Sequence, residues 1–394
     1  MFKKLRKLDY WIAVPFAILS MLGIVMVFSA TQGTTAAFSN FIKQGIFVII
    51  GLFGALLLYH FNLKNLQKDS WMRNIQFGVL GALFVAKFVM PPVNGAHGWI
   101  NLGLITLQPA EFLKLAIILY FANIFTRYPW QSHVRLALQP ISRMTIWWLP
   151  IASLLMVFIM PDNGNGLITL LILLAMFLAS GVSRRFIAMV SAIMGLGFGF
   201  LQTVIGLANH FFNLNSSNHY AIARLTSFVN PWDPNAVDTS RQLLYGYYAI
   251  AHGGLFGVGL GNSLIKPYLP ESNTDFIMAV MTEELGAVTT VTVLILMMIL
   301  VSRMVILGIR QKHQYLRLLL FGIATLLFIQ ALVNLGGVVG VLPITGVVFP
   351  FISGGGSSYI VFSAAIGLAL NIAATQKKTV AIHPADIIAR KDFK

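Results

Sequence analysis

The chain contains no cysteine, which excludes disulfide frameworks, zinc thiolate sites and cysteine nucleophiles. Charge is the second scarcity. Only 10% of the 394 residues are charged, against about 25% in an ordinary soluble domain. Acids are rarest: 12 Asp and Glu stand against 27 Lys and Arg, a net charge of +15. Apolar residues fill the gap, at 57% of the chain. A chain of this size cannot bury that much apolar surface in one aqueous core, so lipid must solvate much of it. The positive surplus would suit a nucleic-acid partner only if it were concentrated in a polar domain.

Ten runs approach the roughly 20 apolar residues that a membrane helix needs: 10–30, 42–61, 74–91, 109–126, 143–161, 165–182, 186–208, 276–301, 315–341 and 356–374. Lys87 makes 74–91 the weakest of them. The basic start, Met1 to Lys7, leads into the first run, which reads as an uncleaved helix and not a signal peptide. With the N-terminus inside, 21 of the 27 basic residues fall in the inner segments, which sum to about +17 against about −2 elsewhere. This positive-inside pattern sets the orientation. It also leaves no concentrated basic domain, so nucleic acid is not a partner. The expectation is an all-α, polytopic membrane protein with both termini cytoplasmic. It would form a single transmembrane domain over 1–394, with 209–275 as a large extracytoplasmic loop between the seventh and eighth helices and 376–394 as a short cytoplasmic tail. That loop is too long to be structureless and reads as partly helical or re-entrant. Within it, Gln242 to Ile250 reads as an amphipathic helix at the interface.

Ionisable residues inside spans are costly and point to function by default. Glu111 and Lys114 are three apart, hence on one face of the fourth helix. They are either a packing ion pair or part of a polar cavity for an anionic or sugar ligand. Asp162 precedes Asn163-Gly164, as an ordinary turn or N-cap residue would, and it also sits at the outer mouth of two spans. The glycines from Gly253 to Gly261 imply tight backbone turns. Their G-x-G-x-x-G-like spacing has no parallel sheet around it, so it does not mark a nucleotide fold. Asp275 stands at the start of the eighth span, as a cap or as a functional carboxylate. Glu283 and Glu284 lie about two turns deeper and need partners there. The run Pro343 to Ser358 is dense in Gly, Ser and Pro yet carries Phe349, Phe351 and Ile352. That mixture suggests a re-entrant loop buried in protein. The histidines show no metal-ligand spacing.

Together these segments resemble the SEDS family, the FtsW/RodA membrane glycosyltransferases. Gly98-Trp99-Ile100-Asn101-Leu102-Gly103 with Gln108-Pro109-Ala110-Glu111-Phe112-Leu113-Lys114 is similar to the family's R-W-I-x-L-G…Q-P-S-E-x-x-K. Arg224 to Pro231 is similar to R-x-x-x-F-x-x-P. Leu269-Pro270-Glu271 through Asp275-Phe276 is similar to L-P-E-A-H-T-D-F, and Glu283-Glu284-Leu285-Gly286 to the E-E-x-G beyond it. Pro350 to Ser358 is similar to P-F-x-S-Y-G-G-S-S. Four departures stand out: Gly98 for a basic residue, Ala110 for serine, Asn273 for histidine and Gly354 for tyrosine or glutamine. Leu8 to Ile12 and Thr345 to Phe351 look closer to the FtsW branch of Gram-positive bacteria than to the RodA branch.

The resemblance implies polymerisation of lipid II into glycan strands on the outer face, for septal wall synthesis. The acceptor's GlcNAc 4-hydroxyl would attack the anomeric carbon of the donor's MurNAc, with inversion and departure of undecaprenyl pyrophosphate. It implies Asp275 as the catalytic base, and Glu111, Lys114, Arg224, Asp162, Gln242, Glu271 and Ser357 as substrate-binding residues. A divalent cation, Mg or Mn, is an expected cofactor, with Asp275 a possible ligand. Expected partners are a class B penicillin-binding protein transpeptidase, other divisome proteins and membrane lipid. Two rivals stand beside this reading. A lipid II flippase would route the head group past Glu111, Lys114, Glu283 and Glu284. A scaffold would only recruit the transpeptidase.

Overall fold

The computed structural model describes residues 8–33, 37–91, 98–103, 105–127, 144–160, 162–181, 230–232 and 237–380, with single residues 188, 192 and 228. Ten α-helices fall among the described residues: α1 (Tyr10–Thr31), α2 (Ala37–His60), α3 (Asp69–Phe88), α4 (Pro109–Arg127), α5 (Met144–Ile159), α6 (Asn163–Ala179), α7 (Val237–Gly253), α8 (Ile277–Ile309), α9 (Gln314–Val338) and α10 (Gly356–Val380). Six of them are long and apolar enough to cross a membrane: α1, α2, α4, α8, α9 and α10. α5 and α6 are shorter, at 16 and 17 residues. α3 begins five residues before the expected run and carries Asp69 and Arg73 in its first turns. The expected seventh span, 186–208, lies outside the described residues except for 188 and 192. α10 continues past 376 to Val380, so the expected tail begins as helix.

A hairpin and two 3₁₀ turns, one of them at Asn65–Gln67, are added to the ten helices. Ile100–Asn101 (β1) and Thr106–Leu107 (β2) pair antiparallel, with Ile100 opposite Leu107. Gly103, at φ +88, makes the turn, and Asn101 Oδ1 accepts its amide at 2.8 Å. A 3₁₀ turn covers Lys266–Tyr268. α7 contains the expected Gln242–Ile250 helix, but it is longer and packs against α8.

The two ends of the bundle are chemically distinct. At one end Asp9 takes a forked pair from Arg303, with Nη2 at 2.7 Å. Arg127 pairs there with Asp69, and Gln314 donates to the Phe125 carbonyl at 3.2 Å. This is the basic end, the one the charge rule leads one to expect at the cytoplasm. The opposite end carries the hairpin, Asp162, Asp275 and the loop 343–355. Between them α2 and α10 press together at small residues: a Cβ on Gly367 would sit 2.4 Å from the Ala55 carbonyl oxygen. Close backbone approach of this kind replaces the missing hydrophobic drive between helices in lipid. The outward faces stay apolar, as with Ile49, Phe53 and Leu57 of α2.

α8 is 33 residues long. A continuous helix of that length spans about 50 Å, well beyond a hydrocarbon core of about 30 Å. It is broken at Gly286, whose φ of 84° and ψ of 167° are not helical. The glycine-rich loop after α7 enters the break. Val258 and Gly259 donate to the Glu283 and Glu284 carbonyls, each at 2.9 Å. The amides of Ala287 and Val288, which would take those carbonyls in an intact helix, donate instead to Gly254 and Leu255. Glycine is required on both sides of this seam. A Cβ on Gly257 would lie 2.3 Å from the Glu284 oxygen, and one on Gly286 2.2 Å from the Leu255 oxygen.

Candidate active site

The site is built from three segments that meet at the end of the bundle opposite Asp9 and Arg303. The first is the hairpin and the start of α4. The Gln108 amide donates to Ser357 Oγ at 2.8 Å, which ties the hairpin to the first turn of α10. Gln108 Nε2 donates to Asp162 Oδ2 at 2.8 Å. Asp162 is the N-cap of α6: it accepts the Asn165 backbone amide at 3.2 Å and the Asn165 side-chain amide at 2.9 Å. The capping role and the place at the mouth therefore coincide in one residue.

Behind them lies a closed polar cluster. Lys114 is completely buried and pairs with Glu111 at 2.8 Å. Its ammonium also donates to Asn165 Oδ1 and Gln330 Oε1, each at 2.9 Å. The three donors of the ammonium match these three oxygens. In this arrangement Lys114 is enclosed and does not line an open cavity.

The third segment is the turn that carries Asp275, just before α8. Asp275 is partly buried. The loop 343–355 grips its backbone from below. Ser353 Oγ donates to the Thr274 carbonyl at 2.7 Å, the Gly354 amide to the Asn273 carbonyl at 2.8 Å, and Asn334 Nδ2 to the Asp275 carbonyl at 2.8 Å. The same Asn334 nitrogen reaches the Val347 carbonyl at 2.7 Å. Phe349, Phe351 and Ile352 are buried, so the loop is packed inside protein, in the manner of the re-entrant loop its composition suggests. Two departures from the family pattern, Asn273 and Gly354, touch each other here. Glu271 is exposed at φ 53, and its carboxylate accepts from Thr274 Oγ1 at 2.6 Å. Gln242, buried in α7, donates to the Pro270 carbonyl at 3.4 Å.

Gln330 and Asn334 join the two halves and were not anticipated. They are four apart on α9, hence on one face. Gln330 accepts from Lys114 and donates to the Val348 carbonyl at 3.2 Å, while Asn334 holds Val347 and Asp275. Two amides one turn apart in an apolar span were the available signal. Arg224 and residues 209–227 lie outside the described residues. Glu283 and Glu284 are fully buried in a separate network. Glu283 accepts from His252, Ser263 and the amides of Leu264 and Ile265; Glu284 accepts from Ser29 and from Lys266 at 3.0 Å. Lys266 is thus a buried counter-ion.

A polytopic helical membrane protein with a carboxylate fixed at one helix end by a buried Gly/Ser-rich loop is the class these features define. The chain belongs to the FtsW/RodA/SpoVE family of cell cycle proteins, whose family model matches residues 10–378. Similar curated proteins carry the name probable peptidoglycan glycosyltransferase FtsW. One from Lactococcus lactis subsp. lactis is 37% identical, covering 94% of this chain and 93% of that protein. One from Bacillus subtilis is 34% identical, covering 94% and 91%. Among solved structures, a peptidoglycan synthase complex that coordinates polymerisation and crosslinking contains a chain similar at TM-score 0.72 and 24% identity, covering 94% of this chain and 98% of that one. The crystal structure of RodA from Thermus thermophilus is similar at TM-score 0.64 and 24% identity, covering 94% and 97%. At these identities the structures establish the shared fold.

Proposed function

We propose that this chain is a peptidoglycan glycosyltransferase of the FtsW type, polymerising lipid II on the outer face of the cytoplasmic membrane during septal wall synthesis. The names of its relatives support the activity. The observation that carries the site is the grip on Asp275: three neighbouring carbonyls, those of residues 273, 274 and 275, each accept a hydrogen bond from α9 or the 343–355 loop. A base must be held in place to be effective, and a carboxylate fixed in this way is suited to take the proton of the acceptor's 4-hydroxyl as it attacks the donor's anomeric carbon. The pyrophosphate leaves with the electron pair and needs cationic neutralisation. Arg224 is assigned that contact. Lys114 does not meet the substrate; it is a positioning residue that sets Gln330 and through it the 343–355 loop. Asp162 and Ser357 hold Gln108 and the hairpin at the rim, and Gln242 and Glu271 shape the Asp275 turn. The lipid tail explains the setting, since the substrate reaches such a site laterally from the bilayer.

A divalent cation suits the donor set in one form only. Among the described residues no three acidic or histidine side chains are gathered. Mg is commonly held by one or two carboxylates together with substrate phosphates, and Asp275 with Glu271 would supply the protein's share. The cation would neutralise the leaving pyrophosphate. A class B penicillin-binding protein is the proposed partner, with divisome proteins around it.

The flippase reading needs a polar path past Glu111, Lys114, Glu283 and Glu284. These side chains sit in two enclosed networks with their own partners, so they do not favour it. The decisive assay is lipid II polymerisation by the purified chain with its cognate transpeptidase. Asp275→Asn is expected to lower the rate at least about 100-fold, the usual share of a general base. Full activity of that variant would remove Asp275 from the role. Absence of glycan from the wild type with its partner would remove the function itself.

A further inference from the structure

A polar pocket lies at the basic end of the bundle, far along α4 from the candidate active site. It is a cavity of about 200 Å³ between α3, α4 and α5. Its charged lining is Asp69, Arg73 and Arg127. Arg127 is already committed: it pairs with Asp69, donates to Asn123 at 3.0 Å and to the Gln67 carbonyl at 2.7 Å. Asp69 is likewise taken, and Asn123 Nδ2 donates to it at 3.2 Å. Arg73 is exposed and has no ion-pair partner among the described residues. The pocket therefore carries one uncompensated positive charge on a lining whose other two charges neutralise each other.

The rest of the lining is apolar and aromatic. Met72 and Leu149 are buried at its base, while Phe77 and Trp148 stand in edge contact at its side, ring centroids 5.6 Å apart. Gln76, on the same α3 face one turn beyond Met72 and Arg73, is fully buried, and neither end of its amide has a partner among the described residues. Pockets for drug-sized ligands run to about 300–1,000 Å³, so this one admits a head group and leaves acyl chains outside, along the exposed rings of Phe77 and Trp148. Indole and phenyl rings beside guanidinium groups are what a membrane interface selects. The positive-inside rule puts this end at the cytoplasmic leaflet, whose surface is negative because it holds anionic lipid.

We propose that the α3–α4–α5 pocket is a binding site for a phosphate group, supplied by an anionic phospholipid of the inner leaflet. Arg73 takes the phosphate, the Arg127–Asp69 pair stays neutral beside it, and Trp148 lies against the glycerol backbone. The lipid thereby braces the basic ends of three helices on the side opposite the active site.

The test uses the full chain in neutral detergent micelles, with thermal unfolding as the readout. Added phosphatidylglycerol is expected to raise the Tm by several degrees, and phosphatidylcholine not to. Arg73→Gln is expected to lose at least half of that rise, and Arg73→Lys to keep most of it. Arg310→Gln, an exposed cation at the same end but outside the pocket, is expected to keep it in full. Equal rises with both lipids overturn the proposal, as does an undiminished rise in Arg73→Gln or an equal loss in Arg310→Gln. Inorganic phosphate at millimolar concentration is the second arm: no shift supports lipid as the source, and a shift as large as that from phosphatidylglycerol overturns it.

Discussion

Lys114 and Asn334 are the two side chains at which the proposed positioning of Asp275 can be tested from a distance. Removing one partner of a buried ion pair strands the other charge and costs about 3–5 kcal/mol, whereas replacing both is often close to neutral. Lys114→Met is therefore expected to unfold at markedly lower temperature, and Lys114→Met combined with Glu111→Gln to recover most of the loss. Thermal unfolding of the single and double variants checks this. Polymerisation by the double variant then separates the two readings of the pair, since a pure packing role predicts restored activity and a positioning role predicts a stable but slow enzyme. Asn334→Ala removes the donor shared by the Val347 and Asp275 carbonyls. Leaving buried acceptors unpaired costs about 1–3 kcal/mol. The expected result is a Tm loss of that size with a lower kcat and little change in KM, measured with lipid II. A loss of stability with kcat intact would show that the amide only packs the loop.

The broken helix α8 is the element on which the fold depends most visibly for its shape. Four hydrogen bonds across the loop replace two that an unbroken helix would make, and the exchange is possible only where two backbones touch at Gly257 and Gly286. It also places Glu283 and Glu284 beside Ser263 and Lys266, so the buried carboxylates find donors in the loop that displaced their helical turn. Gly286→Ala adds a Cβ to a conformation that is essentially confined to glycine, a strain of about 1–3 kcal/mol, on top of the clash with Leu255. The expected consequence is expulsion of the loop. Hydrogen exchange would show it as faster amide exchange over 254–259, with 287 and 288 regaining helical protection. Unchanged protection in that variant would mean that the seam tolerates a side chain.

At the scale of the whole molecule the question is sidedness. The basic end carries Asp9–Arg303 and Asp69–Arg127, while the other end carries Asp275 and Glu271, and the charge rule assigns the second to the exterior. Because the natural chain has no cysteine, single replacements report orientation without background. Glu271→Cys is expected to react with a membrane-impermeant maleimide in intact cells, and Arg310→Cys only after permeabilisation. The reverse pattern would invert the topology and with it the proposed site.

Much of this architecture was legible in local patterns, because lipid imposes a length and a polarity on each span one at a time. The runs 10–30, 109–126 and 315–341 match α1, α4 and α9 closely for that reason, while α2 begins five residues before its run. So do the Glu111–Lys114 pairing, set by helical spacing, and the buried character of 343–358, set by its mixture of glycine and large apolar residues. What the sequence alone determined was the order of the apolar runs that the described helices follow, the charge asymmetry of their ends and the motif blocks. Partnerships between distant residues were decided only by tertiary structure. Lys266 reaches the Ser29 carbonyl across 237 residues, and Ser29 reaches Glu284 across 255. Gln330 and Asn334 take their roles only from α4, α6 and the Asp275 turn, which close around them. A buried donor needs an acceptor wherever the fold supplies one, and no local pattern says which that will be.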